Sequence, residues 1–97
     1  MARYIVLLSW TDQGIRNIRE SSKRLDDARR LAGDMGVELG DFYMTIGPYD
    51  MVSVVDAPDD ASAARFALRL GAGGNVRTTT LKAFPEKEYR EIVGSLG

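Results

Sequence analysis

The stretch FYMTIGPYDMVSVVDAPDD, residues 42–60, holds two apolar runs on either side of GPYD, residues 47–50. Proline at the second position of a turn presets the backbone, and Gly and Asp are frequent neighbours in tight turns. The flanking runs are rich in β-branched and aromatic residues, which favour strands. The stretch therefore predicts a hairpin with strands over residues 37–46 and 51–55, the first of them irregular at Gly40-Asp41.

Apolar spacing predicts the elements before this hairpin. A strand covers residues 4–8, and a short helical turn follows, capped by Thr11 or Asp12. A helix is expected over residues 21–35, because its apolar residues recur at intervals of three and four. Gly36 is a good C-terminal stop for that helix.

The elements after the hairpin are a helix, a strand and a second helix. The first helix begins at residues 58–60, where Asp59 or Asp60 is the expected N-cap. GAGGN, residues 71–75, ends it, and a fourth strand covers residues 75–84. Pro85 suits the first turn of a last helix. The residues expected to face inward from that helix are Tyr89, Ile92 and Val93.

The predicted order is β-α-β-β-α-β, followed by a short helix. This is the α+β, ferredoxin-like arrangement, in which a four-stranded antiparallel sheet carries both long helices on one face. We expect a single domain over residues 1–97, because the length suits one core and the sequence contains no linker.

The second face of this sheet is also apolar. Ile5 and Leu7 alternate with the other apolar residues of the first strand, and Val52 and Val54 do the same in the third. A chain this short has no further helices to cover that face, and a large exposed apolar patch usually marks an interface. We therefore expect a homodimer in which two sheets face each other. Whether dimers assemble into a higher homo-oligomer stays open.

The fourth strand contains three consecutive threonines. Thr78 and Thr80 share one face of the strand, and we consider that they line a small cavity together with Tyr43 and Thr45. The alternative, which we favour, is an edge strand with solvated threonines.

Composition narrows the possible functions. The 13 basic and 14 acidic residues nearly balance, so no nucleic-acid partner is indicated. Cysteine and histidine are both absent, which removes thiolate sites, histidine metal ligands and the usual general base near neutral pH. We expect no metal and no cofactor. The apolar run near the N-terminus is too short to span a bilayer, so a cytoplasmic protein without membrane contact is expected.

Three blocks resemble one family. YIVLLSWTDQGIRNI, FYMTIGPYDMVSVVDAPDD and ARFALRLGAGGNVRTTTLKAF, which span nearly the whole chain in this order, are similar to the GYD-domain proteins of bacteria and archaea. The family is named for a Gly-x-Tyr-Asp stretch, here Gly47-Pro48-Tyr49-Asp50. The resemblance implies a dimeric α+β barrel of the ferredoxin-like group. It implies no particular reaction.

Tyr49 and Asp50 are candidates for a catalytic pair. A phenol beside a carboxylate at a loop tip offers acid and base groups, and Asp50 is the plausible base. We favour a structural role, in which Asp50 accepts a hydrogen bond from the phenol or pairs with Arg16 or Arg77. In either case, any site is expected beside this turn.

The loop TDQGIRN, residues 11–17, is the other candidate. Thr11, Arg16 and Asn17 are suited to a carboxylate or phosphate ligand, with the arginine as a forked donor. A capped helix start explains the same residues. GAGGN is a helix stop rather than a phosphate loop, because it follows a helix and lacks the Lys-Ser/Thr pair.

The sequence suggests two functions. The first is a small dimeric binding or assembly module, holding an apolar or acidic metabolite in a cavity beside the sheet or serving as a scaffold. The alternative is a cofactor-free oxygenase or isomerase, an analogy from fold. The groups expected around a ligand are Trp10, Thr11, Arg16, Asn17, Tyr43, Arg77, Thr78 and Thr80.

Overall fold

A computed structural model describes all of residues 1–97. It has four strands, four α-helices and one 3₁₀ turn. In chain order they are β1 (Ala2–Trp10), α1 (Asp12–Arg16), the 3₁₀ turn (Ile18–Glu20), α2 (Ser21–Asp34), β2 (Glu38–Met44), β3 (Met51–Ala57), α3 (Asp60–Ala72), β4 (Val76–Ala83) and α4 (Glu86–Gly94).

The four strands form one antiparallel sheet in the order β2-β3-β1-β4. This confirms the ferredoxin-like α+β fold expected from the element order. β1 is longer than predicted, because the pairs Ala2↔Ala57 and Trp10↔Val76 continue the ladder beyond residues 4–8. β2 shifts register between Leu39 and Phe42, where the sequence predicted an irregularity.

The core lies between the sheet and the helices α2 and α3. Its strand residues alternate with half-buried ones along β1 and β3, as period-2 spacing requires. The buried set is Tyr4, Val6, Leu8, Ala32, Val37, Met51, Val55, Ala57, Ala63 and Phe66, with Ser53 as its polar member. The Ser53 hydroxyl donates to the Asp41 carbonyl oxygen at 2.9 Å, so the irregular part of β2 satisfies the buried hydroxyl group.

The opposite face of the sheet carries no helix of this chain. We call it the open face. Cross-strand partners place Ile5 opposite Val54 and Leu81, and Leu7 opposite Val52. Leu81 is 47% exposed, and the other four of these side chains are half-buried. The predicted two-sided apolar sheet is therefore present, and its second face meets solvent in the single chain.

α4 corrects one sequence expectation. Tyr89, Ile92 and Val93 were expected to face inward, yet α4 has no buried residue and these side chains are 47–59% exposed. They share one stripe of α4, since i, i+3 and i+4 positions lie on one helix face. The periodicity identified an apolar face correctly, but the chain itself provides nothing for that face to pack against.

The single chain is thinner and more extended than a compact globule. Its radius of gyration is 14.6 Å, and its principal extents are 53 × 31 × 18 Å. A compact chain of this length has a radius of gyration of about 12.5 Å. The accessible surface is 6617 Å², whereas a compact monomer of this mass exposes about 5,500 Å². The chain thus leaves about 1,100 Å² more surface uncovered than its size requires.

No helix combines the length and the apolar character needed to cross a membrane.

Candidate functional site

α1 is held against the loop that follows α3. The Thr11 backbone N–H donates to the Asn75 carbonyl oxygen at 3.0 Å, and the Thr11 hydroxyl donates to the carbonyl of Gly74. The same hydroxyl oxygen accepts the Gly14 N–H at 3.1 Å, which makes Thr11 the N-cap of α1. One threonine therefore joins two segments more than sixty residues apart.

The close approach of these two segments depends on a glycine. A Cβ atom added to the buried Gly14 would lie 2.1 Å from the Asn75 carbonyl oxygen. Gln13 strengthens the contact, because its amide nitrogen donates to the Gly73 carbonyl at 3.2 Å and to Asn75 Oδ1 at 3.1 Å. We call this arrangement of α1 and residues 73–75 the latch. It accounts for the polar loop TDQGIRN and for GAGGN as parts of one structural unit.

Two predicted ligand residues of that loop have no enclosed surroundings. Arg16 is exposed and makes no hydrogen bond or ion pair within the chain. The Asn17 amide donates to the Gln13 carbonyl at 3.0 Å, and the Asn17 carbonyl accepts from Arg24 at 2.8 Å. Asn17 therefore serves the end of α1. The capping interpretation of the sequence concerned the start of the helix, where Thr11 is the N-cap.

Asp50 extends the sheet beyond the end of its backbone ladder. The last β1–β3 pair is Leu8↔Met51, and the Asp50 N–H then donates to the Leu8 carbonyl at 2.9 Å. The Asp50 carboxylate accepts the Trp10 N–H at 2.9 Å, in the place where a further strand carbonyl would be. The side chain thus satisfies a half-buried donor that the turn leaves without a backbone partner.

This geometry corrects the partners expected for Asp50. The carboxylate was predicted to accept from the Tyr49 phenol or to pair with Arg16 or Arg77, and it does none of these. Tyr49 is 37% exposed, and its hydroxyl has no hydrogen-bond partner in the chain. The turn is fixed instead through the backbone, since the Thr45 hydroxyl donates to the Tyr49 carbonyl at 2.6 Å. Tyr49 and Asp50 do not form a pair.

The cavity of threonines and Tyr43, the less favoured of the two interpretations, is not assembled in the chain. Thr78 and Thr80 lie opposite Leu8 and Val6 on the helix-bearing face, whereas Tyr43 lies opposite Val52 on the open face. Because successive side chains of a strand point to opposite faces, the thickness of the sheet separates Tyr43 from these threonines. β4 is an edge strand, as the favoured alternative required.

Some predicted residues do meet at that edge. Thr11, Arg77 and Thr78 line one shallow groove outside β4, together with the last turns of α3. Arg77 itself pairs with Ser9 on the open face. The groove is open to solvent and contains none of the other predicted site residues.

A second cavity, lined mainly by apolar residues, lies between α2, α3 and the sheet. We call it the cleft. Its volume is about 360 Å³. The floor is apolar and includes Val55, Phe66 and the half-buried Trp10, while polar side chains stand at the rim. The rim residues are Ser21, Arg24, Asp27, Arg69 and Asn75.

Sequence reasoning did not find the cleft. Trp10 is the one predicted site residue that lines it. Of the apolar residues of α2, Ala32 is buried, whereas Leu25, Ala28 and Leu31 are only half-buried. Helical periodicity shows which face turns inward and does not show how far two helices stand apart.

A polar cluster at the other end of β1 was also not anticipated. The buried Tyr4 donates its hydroxyl to Asp60, and Lys82 Nζ lies 2.8 Å from the same carboxylate. Lys82 also stands 5.3 Å from the centre of the Tyr4 ring. The hydrogen bonds from Lys82 and Tyr4 lower the pKa of Asp60, and the bond to Asp60 raises the pKa of Tyr4. Asp60 is mostly exposed, so the cluster does not enclose a site.

Comparison with known proteins identifies the family. The model of the GYD domain family matches residues 4–93. The chain belongs to the GYD-domain family. A relative from Thermus thermophilus is 40% identical over 86 residues, which is 88% of this chain and 90% of the relative. That protein is named "Glutamine synthetase and cystathionine beta-lyase binding protein".

The GYD stretch has a structural explanation here. Gly47 has a φ of +150°, a conformation that side chains rarely adopt, so glycine suits the turn. Asp50 supplies the acceptor for Trp10 described above. In this GYD domain the first and last letters of the motif therefore shape the β2–β3 connection, while the Tyr49 ring remains at the surface.

Proposed function

We propose that this GYD domain is a homodimeric protein-binding module that attaches to enzymes of amino-acid metabolism. The observation that carries the proposal is the surface that the chain leaves uncovered. It includes the open face of the sheet and the apolar stripe of α4. The proposal includes the single domain over residues 1–97 and the cytoplasmic location expected from the sequence.

The open face supports the homodimer. The chain exposes about 1,100 Å² beyond the surface of a compact monomer. A standard protein interface buries about 800 Å² of each partner, so the excess is of the size that one interface removes. A two-fold pairing of sheets would bury Ile5, Leu7 and Val54 against their copies.

α4 supports a further contact. A helix of nine residues is marginal in water by itself, because few residues share the cost of nucleation. Its stripe of Tyr89, Ile92 and Val93 gains stability once a partner covers it. The partner is either the second copy or a bound enzyme.

The identity of the enzyme partners rests on the relative. A protein that is 40% identical over most of both chains is named as a binding protein for glutamine synthetase and cystathionine β-lyase. We extend that property to this chain. The near-neutral charge suits recognition by apolar and hydrogen-bonding contacts more than by electrostatic steering.

Co-sedimentation tests the proposal. The purified chain is mixed separately with glutamine synthetase and with cystathionine β-lyase from the same organism, and the bound fraction is measured at several concentrations. We expect saturable binding to at least one of them. The matched pair is Ile92→Ser on the α4 stripe and Lys87→Ser on the opposite side of the helix. Binding to neither enzyme, by a chain shown to be folded, would contradict the proposal.

A second candidate function is the holding of a small metabolite. The cleft favours it, since apolar cavities of about 300–1,000 Å³ with a few polar groups are typical ligand sites. Native mass spectrometry of the protein as purified would detect a retained molecule as additional mass. The two functions are compatible, because the cleft and the open face lie on opposite sides of the sheet.

The cofactor-free oxygenase or isomerase has less support. That alternative required Asp50 as a base facing an enclosed cavity. Its carboxylate already accepts the Trp10 N–H, and Asp50 does not line the cleft. We therefore prefer the binding module.

A further inference from the structure

We infer that the cleft is a binding site for a small amphipathic carboxylic acid, whose apolar part lies on the floor and whose carboxylate meets Arg69 at the rim. The inference rests on the metabolite-binding part of the proposed function and names the chemical class of the ligand. It is independent of the attachment to enzymes.

The floor defines the apolar part of the ligand. Of the 20 residues that line the cleft, 13 are hydrophobic, and the buried Phe66 and Val55 are among them. The volume of about 360 Å³ lies within the range of roughly 300–1,000 Å³ that is typical of small-molecule sites. Water gains few hydrogen bonds from such walls, so an aliphatic or aromatic group displaces it favourably.

The floor offers one polar atom and no free donor. The Ser53 hydroxyl is buried and donates to the Asp41 carbonyl at 2.9 Å. Its proton is therefore already used inside the protein. A ligand whose inner end is charged would lose its hydration without gaining a partner there. The polar group of the ligand must point to the rim.

The rim favours a negative charge. Arg69 is exposed and has no hydrogen bond or ion pair within the chain, so all donors of its guanidinium are available. Arg24 donates to the carbonyls of Asn17 and Gly14 and adds a second positive charge. The acidic rim residue, Asp27, is already paired with Arg30.

Other rim groups are suited to the same carboxylate. The Ser21 hydroxyl has no hydrogen-bond partner in the chain, and the Asn75 amide uses only its oxygen, which accepts from Gln13. A carboxylate accepts up to four hydrogen bonds, whereas an alcohol of the same length accepts fewer and carries no charge. The rim should therefore discriminate an acid from its alcohol.

Trp10 provides a direct readout of occupancy. It is the single tryptophan of the chain, and it lines the cleft. We would titrate the full chain with octanoate and with 1-octanol and follow tryptophan fluorescence. The expected result is saturable binding of both probes, with octanoate at least tenfold tighter.

Matched variants assign the preference to the rim. Arg69→Gln should weaken octanoate binding about tenfold and leave 1-octanol binding unchanged. Arg65→Gln is the control, since Arg65 lies one turn earlier on α3, is exposed and does not line the cleft. It should change neither affinity. Ala28→Phe, checked for folding by circular dichroism, should abolish binding of both probes by filling the cleft.

The outcomes separate this inference from the proposed function. Equal affinities for acid and alcohol, or an unchanged octanoate affinity in Arg69→Gln, would overturn the assignment of an acid. Binding of neither probe would overturn the cleft as a ligand site altogether. Attachment to enzymes is measured by co-sedimentation, so its success or failure is read separately from this titration.

Discussion

At one end of the sheet, α1 lies against residues 73–75 and is held there by hydrogen bonds from Thr11 and Gln13. At the other end, α4 leaves β4 without burying a single side chain. The first region is fixed by hydrogen bonds within its own chain. The second has an apolar stripe without a partner in the chain, and the proposed function assigns its cover to another molecule.

The largest effect should come from breaking the latch. Gly14→Ala would put a Cβ atom 2.1 Å from the Asn75 carbonyl, and backbone must move to relieve the clash. Overpacking of this kind costs about 3 kcal/mol, which lowers Tm by about 12–24 °C for a chain of this length. Thermal unfolding at a fixed protein concentration measures the effect.

Gly33→Ala is the matched control for the latch. Gly33 lies in α2, and an added Cβ would meet nothing within 4 Å. Removing a helical glycine should raise the free energy of unfolding by about 0.5–1 kcal/mol. If Gly14→Ala were as stable as Gly33→Ala, the close contact between α1 and the α3–β4 loop would be wrong.

A smaller loss is expected at the GYD turn. Asp50→Ala leaves the half-buried Trp10 N–H without its acceptor, at a cost of about 2 kcal/mol in the free energy of unfolding. Asp50→Asn keeps an acceptor oxygen and should recover part of that loss. Urea denaturation of the three proteins gives the comparison. An alanine variant as stable as the parent would contradict the structural role of Asp50.

Tyr49→Phe provides a sensitive negative control for the same turn. The Tyr49 hydroxyl has no hydrogen-bond partner in the chain, so its removal should leave Tm unchanged. A clear fall in Tm would indicate that this hydroxyl is buried in the assembled protein. That result would extend the interface to the GYD turn.

The helix α4 should respond in a different way. Ile92→Ser removes an apolar side chain that is 47% exposed, so the folding of a single chain should hardly change. If the second copy covers α4, the dimer dissociation constant should rise about tenfold. This corresponds to a loss of about 1.4 kcal/mol in the free energy of dimerisation. Sedimentation equilibrium measures this constant, with Lys87→Ser as the control on the opposite side of α4. Equal constants for both variants would remove α4 from the dimer interface.

The smallest change that we expect to measure concerns acid stability. The pKa of Asp60 is lowered in the folded chain, so its contribution is present above the unfolded value of about 3.9 and is lost as pH falls through the folded pKa. Asp60→Asn should therefore reduce the loss of Tm between pH 5 and the acid limit of folding. An identical acid slope for the two proteins would show that the cluster with Lys82 and Tyr4 contributes nothing measurable.

Local signals in the sequence predicted much of this fold. The hairpin around GPYD and the irregularity at Gly40-Asp41 depend on neighbouring residues, and the structure contains both. The caps Thr11 and Asp59 were each one of two adjacent candidates, and the structure selects them. The apolar alternation of β1 and β3 likewise predicted the open face.

The remaining features depend on distance in space. The Asp50–Trp10 bond joins residues forty positions apart, and the latch joins residues more than sixty apart. Neither pairing leaves a periodic signal in one sequence. The cleft depends on the separation between α2 and α3, and the exposure of α4 depends on what the rest of the chain provides. Residue types alone specify neither quantity.

Sedimentation velocity of the purified chain at micromolar concentration tests the central claim most directly, namely that a second copy covers the open face. The account predicts a species of twice the 10.7 kDa chain mass, and a Leu7→Glu variant on the open face that sediments as a monomer with reduced stability. A parent chain that sediments at 10.7 kDa and unfolds cooperatively with ordinary stability would contradict it.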